Sequence, residues 1–218
     1  MTGRRIVLFD LFGVIALHQR PGALAQMAAR CGGVPEDAFT KAYWDLRPPY
    51  DAGRVSAGQY WAAVLGLLSR PVDADLLEEL RLADIDSWSR VDERMVDYAQ
   101  SLRVRAEVAL LSNIPADHAD AFLAAQPWLR NLDYLAFSGK IGAAKPDPAA
   151  FEHCVTAMHA APADFLFVDD REENVRAARA VGMSGHIFTG LEGLTRTINS
   201  LSQTDGGRRP GSHSSSHG

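Results

Sequence analysis

The stretch IVLFDLFGVIAL, residues 6–17, places Asp10 directly after an apolar run that is typical of a buried strand. An aspartate in this position can act as the nucleophile in covalent catalysis. Two residues later, where a group that exchanges protons would assist that chemistry, the chain carries Phe12. Because a phenyl ring neither takes nor gives a proton, Phe12 bears on every interpretation of Asp10.

Polar side chains also follow three later apolar segments. Ser112 and Asn113 come after the first, Lys145 after the second, and Asp169 and Asp170 after the third. Each alone is compatible with an ordinary turn or helix cap. If the segments are parallel strands of one sheet, however, all these groups meet at the carboxyl edge, where such sheets bind ligands.

The chemistry of the combined set indicates phosphoryl transfer. Asp10, Asp169 and Asp170 form a carboxylate cluster that needs a cation, and an all-oxygen ligand set suits Mg²⁺. Ser112 Oγ, with backbone N–H groups at a helix start, can hold phosphate oxygens, and Lys145 adds a positive charge. These groups would stabilise the charge on a phosphoryl group that is transferred to Asp10.

The elements that must position these residues follow an alternating pattern. Apolar runs predict strands, and helical patterns with caps lie between them, such as Asp147-Pro148 at a helix start. This alternation predicts an α/β fold, a doubly wound parallel Rossmann-like sheet. The predicted strands are residues 5–9, 108–111, 134–137, 165–168 and 185–188.

A helical segment interrupts the alternation after the first strand. Residues 16–86 contain helix signals and no convincing strand, which predicts an inserted α-helical cap. The catalytic core is then discontinuous, residues 1–15 and 87–202. Within the cap, LRPPYDAGR (46–54) is expected to be a loop at the mouth of the site, and the Gly/Ser/His-rich tail 203–218 is expected to be disordered.

Composition narrows the possible functions. A net charge of −5 argues against a nucleic-acid partner, and no segment has the length of a membrane span. The two cysteines, Cys31 and Cys154, lack metal-site or disulfide spacing and favour a cytoplasmic protein. Arginine outnumbers lysine by 19 to 3, which is associated with GC-rich bacterial genes.

The motifs VLFDLFGVI, LLSN, KPDPAAF and FVDDREENVRAARAVGM together resemble those of the haloacid dehalogenase-like (HAD) superfamily, across residues 5 to about 190. The resemblance implies that Asp10 is the nucleophile and a metal ligand. It implies further ligands in the backbone carbonyl of Phe12 and in Asp170, with Asp169 beside it. Ser112 matches the phosphate-binding residue and Lys145 the motif-three lysine. Most members are Mg²⁺-dependent phosphatases that form an aspartyl-phosphate.

Phe12 departs from this pattern, because phosphatases of the superfamily carry an acid/base Asp there. We therefore keep several interpretations open. The first is a phosphatase of a small phosphorylated metabolite, weakened or restricted to good leaving groups such as aryl or acyl phosphates. The others are a non-catalytic binding protein, a carbon–halogen hydrolase, and a phosphonate-cleaving enzyme using Lys41, the only lysine of the cap.

Cap residues are further candidates for substrate contact. We expect Arg47 and Tyr50 to bind substrate, with Asn113 beside Ser112, and Arg54 and Trp61 are weaker candidates. His18 is either a substitute acid or simply a polar residue at the hinge into the cap. The sequence leaves the physiological substrate and the oligomeric state open.

Overall fold

A computed structural model describes residues 5–206, with side chains to residue 201. A sheet of five parallel strands, in the order β3-β2-β1-β4-β5, forms its centre. The strands are β1 (Ile6–Phe9), β2 (Glu107–Ser112), β3 (Tyr134–Phe137), β4 (Phe165–Asp169) and β5 (Ser184–Ile187). The predicted fold class is confirmed.

Helices cover both faces of the sheet. The helices outside the cap are α5 (Glu93–Leu102), α6 (Ala116–Ala125), α7 (Ser138–Ile141), α8 (Pro148–Ala157), α9 (Glu172–Ala180) and α10 (Leu191–Gly206). Apolar residues of α5, α6 and α10 pack on one face, and those of α8 and α9 pack on the other. Strands buried on both faces explain the continuous apolar runs in the sequence.

Four helices between β1 and α5 form the inserted cap. They are α1 (Ala23–Arg30), α2 (Glu36–Asp51), α3 (Ala57–Leu67) and α4 (Ala74–Ser87), and they enclose a hydrophobic cluster of their own. Ser56 makes a capping box with Gln59, and Asp73 caps α4. The two linkers to the core run side by side, with Leu17 N donating to Arg90 O (2.9 Å) and Arg20 N to Ser87 O (2.8 Å).

Two predictions about irregular segments need correction. Residues 46–51 are not a loop but the end of α2, which contains Pro48 and Pro49. An ion pair one turn apart, Arg47–Asp51, and the buried Tyr50 hold this turn helical despite the prolines. The predicted start of the tail at residue 203 shifts, because α10 runs to Gly206, and the rest of the tail lies outside the described residues.

Among the helices that the structure describes, none has both the length and the apolar character required to cross a bilayer.

The contact of α7 with the start of α6 requires a glycine. A Cβ at Gly139 would lie 2.4 Å from Ala116 N and 2.8 Å from Ile114 O, both backbone atoms that cannot rotate away. On the cap side, a Cβ at Gly53 would lie 2.3 Å from Gly139 O. The approach of core and cap at this point therefore depends on small residues.

We expect Gly139→Ala to lower the free energy of unfolding by about 1–3 kcal/mol through overpacking. Gly66→Ala is the matched control, because no atom lies near its added methyl group. It should raise stability by about 0.5–1 kcal/mol through helix propensity. Urea denaturation checks both, and a Gly139→Ala protein as stable as the wild type would contradict this packing.

Candidate active site

A buried lysine joins the ends of two adjacent strands. Lys145 Nζ lies 2.7 Å from Asp10 Oδ1, after β1, and 2.8 Å from Asp169 Oδ2, at the end of β4. All three side chains are almost inaccessible to solvent. The lysine charge offsets part of the repulsion between the two carboxylates, and their charges raise the pKa of Lys145 against the lowering effect of burial.

One oxygen of Asp10 remains available. Oδ1 accepts from Leu11 N (2.7 Å) as well as from Lys145, whereas no described residue donates a hydrogen bond to Oδ2. Burial raises the pKa of Asp10 to about 7, although Lys145 lowers it, and the Asp169 charge adds to the increase. A further positive charge at this site would favour the ionised, nucleophilic form.

Asp169 already has partners for both of its oxygens. Oδ1 accepts from Arg171 N (2.8 Å), and Asn174 Nδ2 lies 3.1 and 3.0 Å from the two carboxylate oxygens. Lys145 Nζ also contacts Oδ2. The Asp169 carboxylate therefore serves mainly to hold Lys145 and the start of α9 in place. Asp169 is consequently a weaker candidate for direct metal ligation than its neighbour Asp170.

Asp170 reaches back over the loop that follows β1. Its Oδ2 lies 3.4 Å from His18 Nε2, and a Cβ at Gly13 would lie 2.4 Å from the same oxygen. The φ of Gly13 is +89°, a conformation that other residues rarely adopt. This glycine therefore permits the close approach of Asp170 to the Asp10–Gly13 loop.

Carboxylates from the two strand ends form a group suited to a divalent cation. Oxygens of Asp10, Asp169 and Asp170 lie within 4.8 Å of one another. Hard oxygen ligands of this kind, held by two or more carboxylates beside a cavity, match the preference of Mg²⁺. The donor set therefore fits the cation that the sequence predicts.

Ser112 supplies a polar group without a partner. Its Oγ is fully buried at the end of β2 and makes no hydrogen bond within the described structure. An unsatisfied buried hydroxyl costs about 1–3 kcal/mol, which makes Ser112 Oγ a candidate for contact with a ligand oxygen. Asn113 has a different role: its side chain donates to Lys145 O (2.7 Å) and accepts from Lys145 N (2.8 Å). It thereby fixes the backbone that carries the lysine.

A cavity of about 350 Å³ lies between core and cap; Asp10, Asn113, Lys145 and Asp170 line it, whereas Ser112 and Asp169 are not among its lining residues. Phe12 also lines it and packs edge-on against Trp88 (centroids 4.8 Å apart) and Phe122 (5.9 Å). Its ring thus occupies an apolar surface beside Asp10. The lining residues are Asp10, Phe12, His18, Trp44, Arg47, Asp51, Trp88, Asn113, Lys145, Asp170, Arg171 and Asn174.

Arg47 belongs to a buried ion-pair network at the seam between cap and core. It contacts Asp84 Oδ2 (2.6 Å), Asp51 Oδ1 (2.7 Å) and the Tyr43 hydroxyl (2.6 Å). His118 of α6 lies 3.2 Å from Asp84. Burial raises the pKa of Asp84, but Arg47 and His118 outweigh it and lower the pKa to about 2. Arg47 therefore lines the cavity with most of its charge already paired.

Tyr50 and the other cap candidates lie elsewhere. The Tyr50 hydroxyl donates to Asp117 of α6 (2.8 Å), so this buried side chain holds cap to core and is not among the cavity-lining residues. Trp61 is fully buried in the cap core, and Arg54 is exposed outside the cavity. Lys41 pairs with Asp45 on an exposed face of α2, away from Asp10.

Outside the segment 46–54, the sequence interpretation missed four residues that the structure places at the cavity: Trp44, Trp88, Arg171 and Asn174. A tryptophan carries no sign of catalytic chemistry and is commonly buried, yet Trp44 is 44% exposed. Asn174 lies one helical turn after Asp170, a spacing that could have indicated a side chain directed back at the carboxylates. No local signal distinguished Trp88, because its position depends on how α4 returns to the core.

Comparisons with known proteins agree with this geometry. A family model for haloacid dehalogenase-like hydrolases matches residues 5–182. D-ribitol-5-phosphate phosphatase of Bacteroides thetaiotaomicron is 27% identical over 184 residues, which cover 81% of this chain and 87% of that protein.

Two solved structures illustrate the shared fold. The HAD family enzyme bt-2542 of B. thetaiotaomicron superposes with a TM-score of 0.77 at 19% identity, covering 90% of this chain and 99% of that one. It has also been solved in complex with magnesium and inorganic phosphate (TM-score 0.70, 19% identity, 84% and 93% coverage). L-2-haloacid dehalogenase of Xanthobacter autotrophicus gives a TM-score of 0.61 at 18% identity, with 91% and 83% coverage.

The family match spans most of the chain, and it includes Asp10, Ser112, Lys145 and Asp170. The chain belongs to the haloacid dehalogenase-like hydrolase family.

Proposed function

We propose that the protein is a Mg²⁺-dependent phosphatase that acts on a small phosphorylated metabolite through an aspartyl-phosphate on Asp10. The observation that carries the proposal is the group of Asp10, Asp170 and Lys145 at one cavity. At the adjacent strand end lies the buried Ser112 hydroxyl, which has no partner within the described structure. The Ser112 hydroxyl would offer a phosphate group one hydrogen bond, and the Lys145 ammonium would offer it a positive charge. The similarity to D-ribitol-5-phosphate phosphatase supports this substrate class.

Asp10, the Phe12 carbonyl and Asp170 are the groups that would hold Mg²⁺. When bound, the ion supplies positive charge that lowers the energy of a transferring phosphoryl group. The relative bt-2542, solved with magnesium and inorganic phosphate, supports the presence of both at such a site. Asp169 would contribute by holding Lys145 and Asn174 in place.

The reaction proceeds in two displacements at phosphorus. Asp10 Oδ2 forms a bond to phosphorus while the bond to the ester oxygen breaks, and the leaving group departs with the electron pair. Water then attacks the phosphorus of the aspartyl-phosphate, which releases inorganic phosphate and restores the carboxylate. Lys145 fixes the orientation of Asp10 and adds charge beside the phosphoryl oxygens.

Phe12 leaves both displacements without the usual proton carrier. A missing general acid/base costs about 10²–10⁴-fold in rate, and the cost is smallest when the leaving group departs unprotonated. His18 lines the same cavity, mostly exposed and 3.4 Å from Asp170, and is a candidate substitute acid. We therefore propose a phosphatase restricted to good leaving groups.

The other interpretations find less support. The Asp170 carboxylate lines the cavity and would repel the carboxylate of a haloacid. The exposed pair of Lys41 with Asp45 gives no support to imine chemistry. A cytoplasmic location belongs to the same proposal, since both cysteines are buried free thiols.

The proposal predicts Mg²⁺-dependent release of phosphate from phenyl phosphate and acetyl phosphate that Asp10→Asn abolishes. The matched control is Asp120→Asn, which alters an exposed aspartate paired with Lys140. Its rate should equal that of the wild type. If neither ester is hydrolysed by the folded, Mg²⁺-loaded wild type, the protein is not a phosphatase and the binding-only interpretation takes precedence.

Saturating Mg²⁺ should raise the melting temperature by about 5–10 °C at hundredfold excess over Kd, because it binds the folded carboxylate cluster. Asp170→Asn should remove most of this increase. The metal-free variant should be no less stable than the metal-free wild type, because it loses a like charge. Differential scanning calorimetry with Mg²⁺ or with chelator makes the comparison, and identical shifts in the two proteins would exclude Asp170 as a ligand.

Restoring a carboxylate at position 12 should broaden the range of substrates. We expect Phe12→Asp to raise kcat for alkyl phosphates on the order of tenfold, below the full acid/base contribution, and to affect phenyl phosphate much less. Phe12→Asn is the control, because asparagine has nearly the same shape as aspartate but does not exchange a proton. Equal alkyl phosphate rates in the two variants would mean that position 12 does not limit turnover.

A further inference from the structure

The cavity has an aromatic side formed by Phe12, Trp44 and Trp88, here called the aromatic wall. Trp88 lies at its centre, with its ring 4.8 Å from Phe12 and 6.3 Å from Trp44, both in edge-on geometry. All three residues line the same cavity as Asp10 and Lys145. An aromatic side and a phosphate-binding end therefore share one cavity.

The wall is held from behind by fixed contacts. Trp88 Nε1 donates to the Tyr43 hydroxyl (3.3 Å), and Tyr43 also donates to the buried Asp84 (2.7 Å). Phe12 packs against Phe122 of the core. Trp44, by contrast, leaves 44% of a large indole exposed. A positioned ring set with an exposed indole at its edge is suited to stacking with another planar ring.

The reaction chemistry points to the same kind of substrate independently. Without the acid at position 12, the site favours esters whose leaving oxygen departs readily as an anion. A phenol has a pKa of about 10, as for tyrosine, whereas that of water is about 15.7 and alkyl alcohols resemble water. An aryl oxide is therefore a far better leaving group than an alkoxide at this site.

We propose, on the basis of the proposed function, that the substrate is an aryl phosphate monoester whose ring stacks on the aromatic wall. The bond between phosphorus and the aryl oxygen breaks, its electron pair leaves on the aryl oxide, and the oxide later takes a proton from water. Phe12 then has two effects: it removes the acid that an alkyl ester requires, and it adds a surface that selects an aromatic one.

The size of the cavity sets a limit on the leaving group. Its volume of about 350 Å³ is at the lower end of the range for small-molecule sites. Because the phosphoryl group occupies part of that space, the substrate carries a small ring system rather than a large polycyclic one.

The binding of two matched phosphonates, which the enzyme cannot hydrolyse, tests whether the aromatic wall selects an aromatic ring. Benzylphosphonate replaces the ester oxygen of phenyl phosphate by a methylene group, and (cyclohexylmethyl)phosphonate has the same skeleton with a saturated ring. In isothermal titration with Mg²⁺ present, the wild type should bind benzylphosphonate about tenfold more tightly, the upper range for an aromatic pair. Trp88→Leu and Trp44→Leu should each reduce this preference, and Trp88→Phe should retain it.

The possible outcomes distinguish a failure of the aryl specificity from a failure of the proposed phosphatase function. Equal affinity for both phosphonates, or a preference for the saturated ring, would overturn the aryl specificity while leaving the phosphatase intact. A preference unchanged in both leucine variants, each folded by circular dichroism, would also overturn it. Failure of the wild type to bind either phosphonate or inorganic phosphate would instead contradict the phosphate site itself, and the inference would fall with it.

Discussion

The burial of two carboxylates side by side is the constraint on which the site depends. Asp10 and Asp169 end adjacent parallel strands, so the pairing of β1 with β4 brings their charges together regardless of function. Lys145, fully buried, lies within 2.8 Å of both and makes this arrangement tolerable. Asn113 fixes the lysine backbone, and Asn174 fixes Asp169. These contacts hold Asp10 Oδ1 in place and leave Oδ2 directed to the reaction.

The cap completes the site by a second buried network. Arg47, Asp84 and His118 connect α2 and α4 of the cap to α6 of the core, while Tyr50 bonds to Asp117 nearby. Because these charges are paired away from water, their geometry is fixed when the cap lies on the core. That geometry also sets the position of Trp88, through Tyr43, at the cavity beside Phe12. The support of the cap and the shape of the cavity are therefore linked.

The sequence predicted the parts of this structure that follow from local rules. Continuous apolar runs predicted the parallel strands, and the polar residues that follow them predicted Asp10, Ser112 and Asp170 at one edge of the sheet. Lys145 reaches Asp10 from the segment between α7 and α8. The same local rules wrongly predicted a loop for residues 46–51. The buried contacts of Arg47 and Tyr50 stabilise the helix there by more than the two prolines destabilise it. Local rules also missed Trp88 and Trp44, because the packing of a cap on a core is a long-range contact that no motif encodes.

The central claim is that Asp10 carries the phosphoryl group, and trapping that intermediate tests it most directly. Because Phe12 cannot activate water, hydrolysis of the aspartyl-phosphate should be slower than its formation from an aryl ester. Rapid acid quenching during turnover of phenyl phosphate, followed by peptide mass spectrometry, should then find a large fraction of the peptide with Asp10 carrying one phosphoryl group. Phosphate release with that peptide unmodified at every time point would contradict the account.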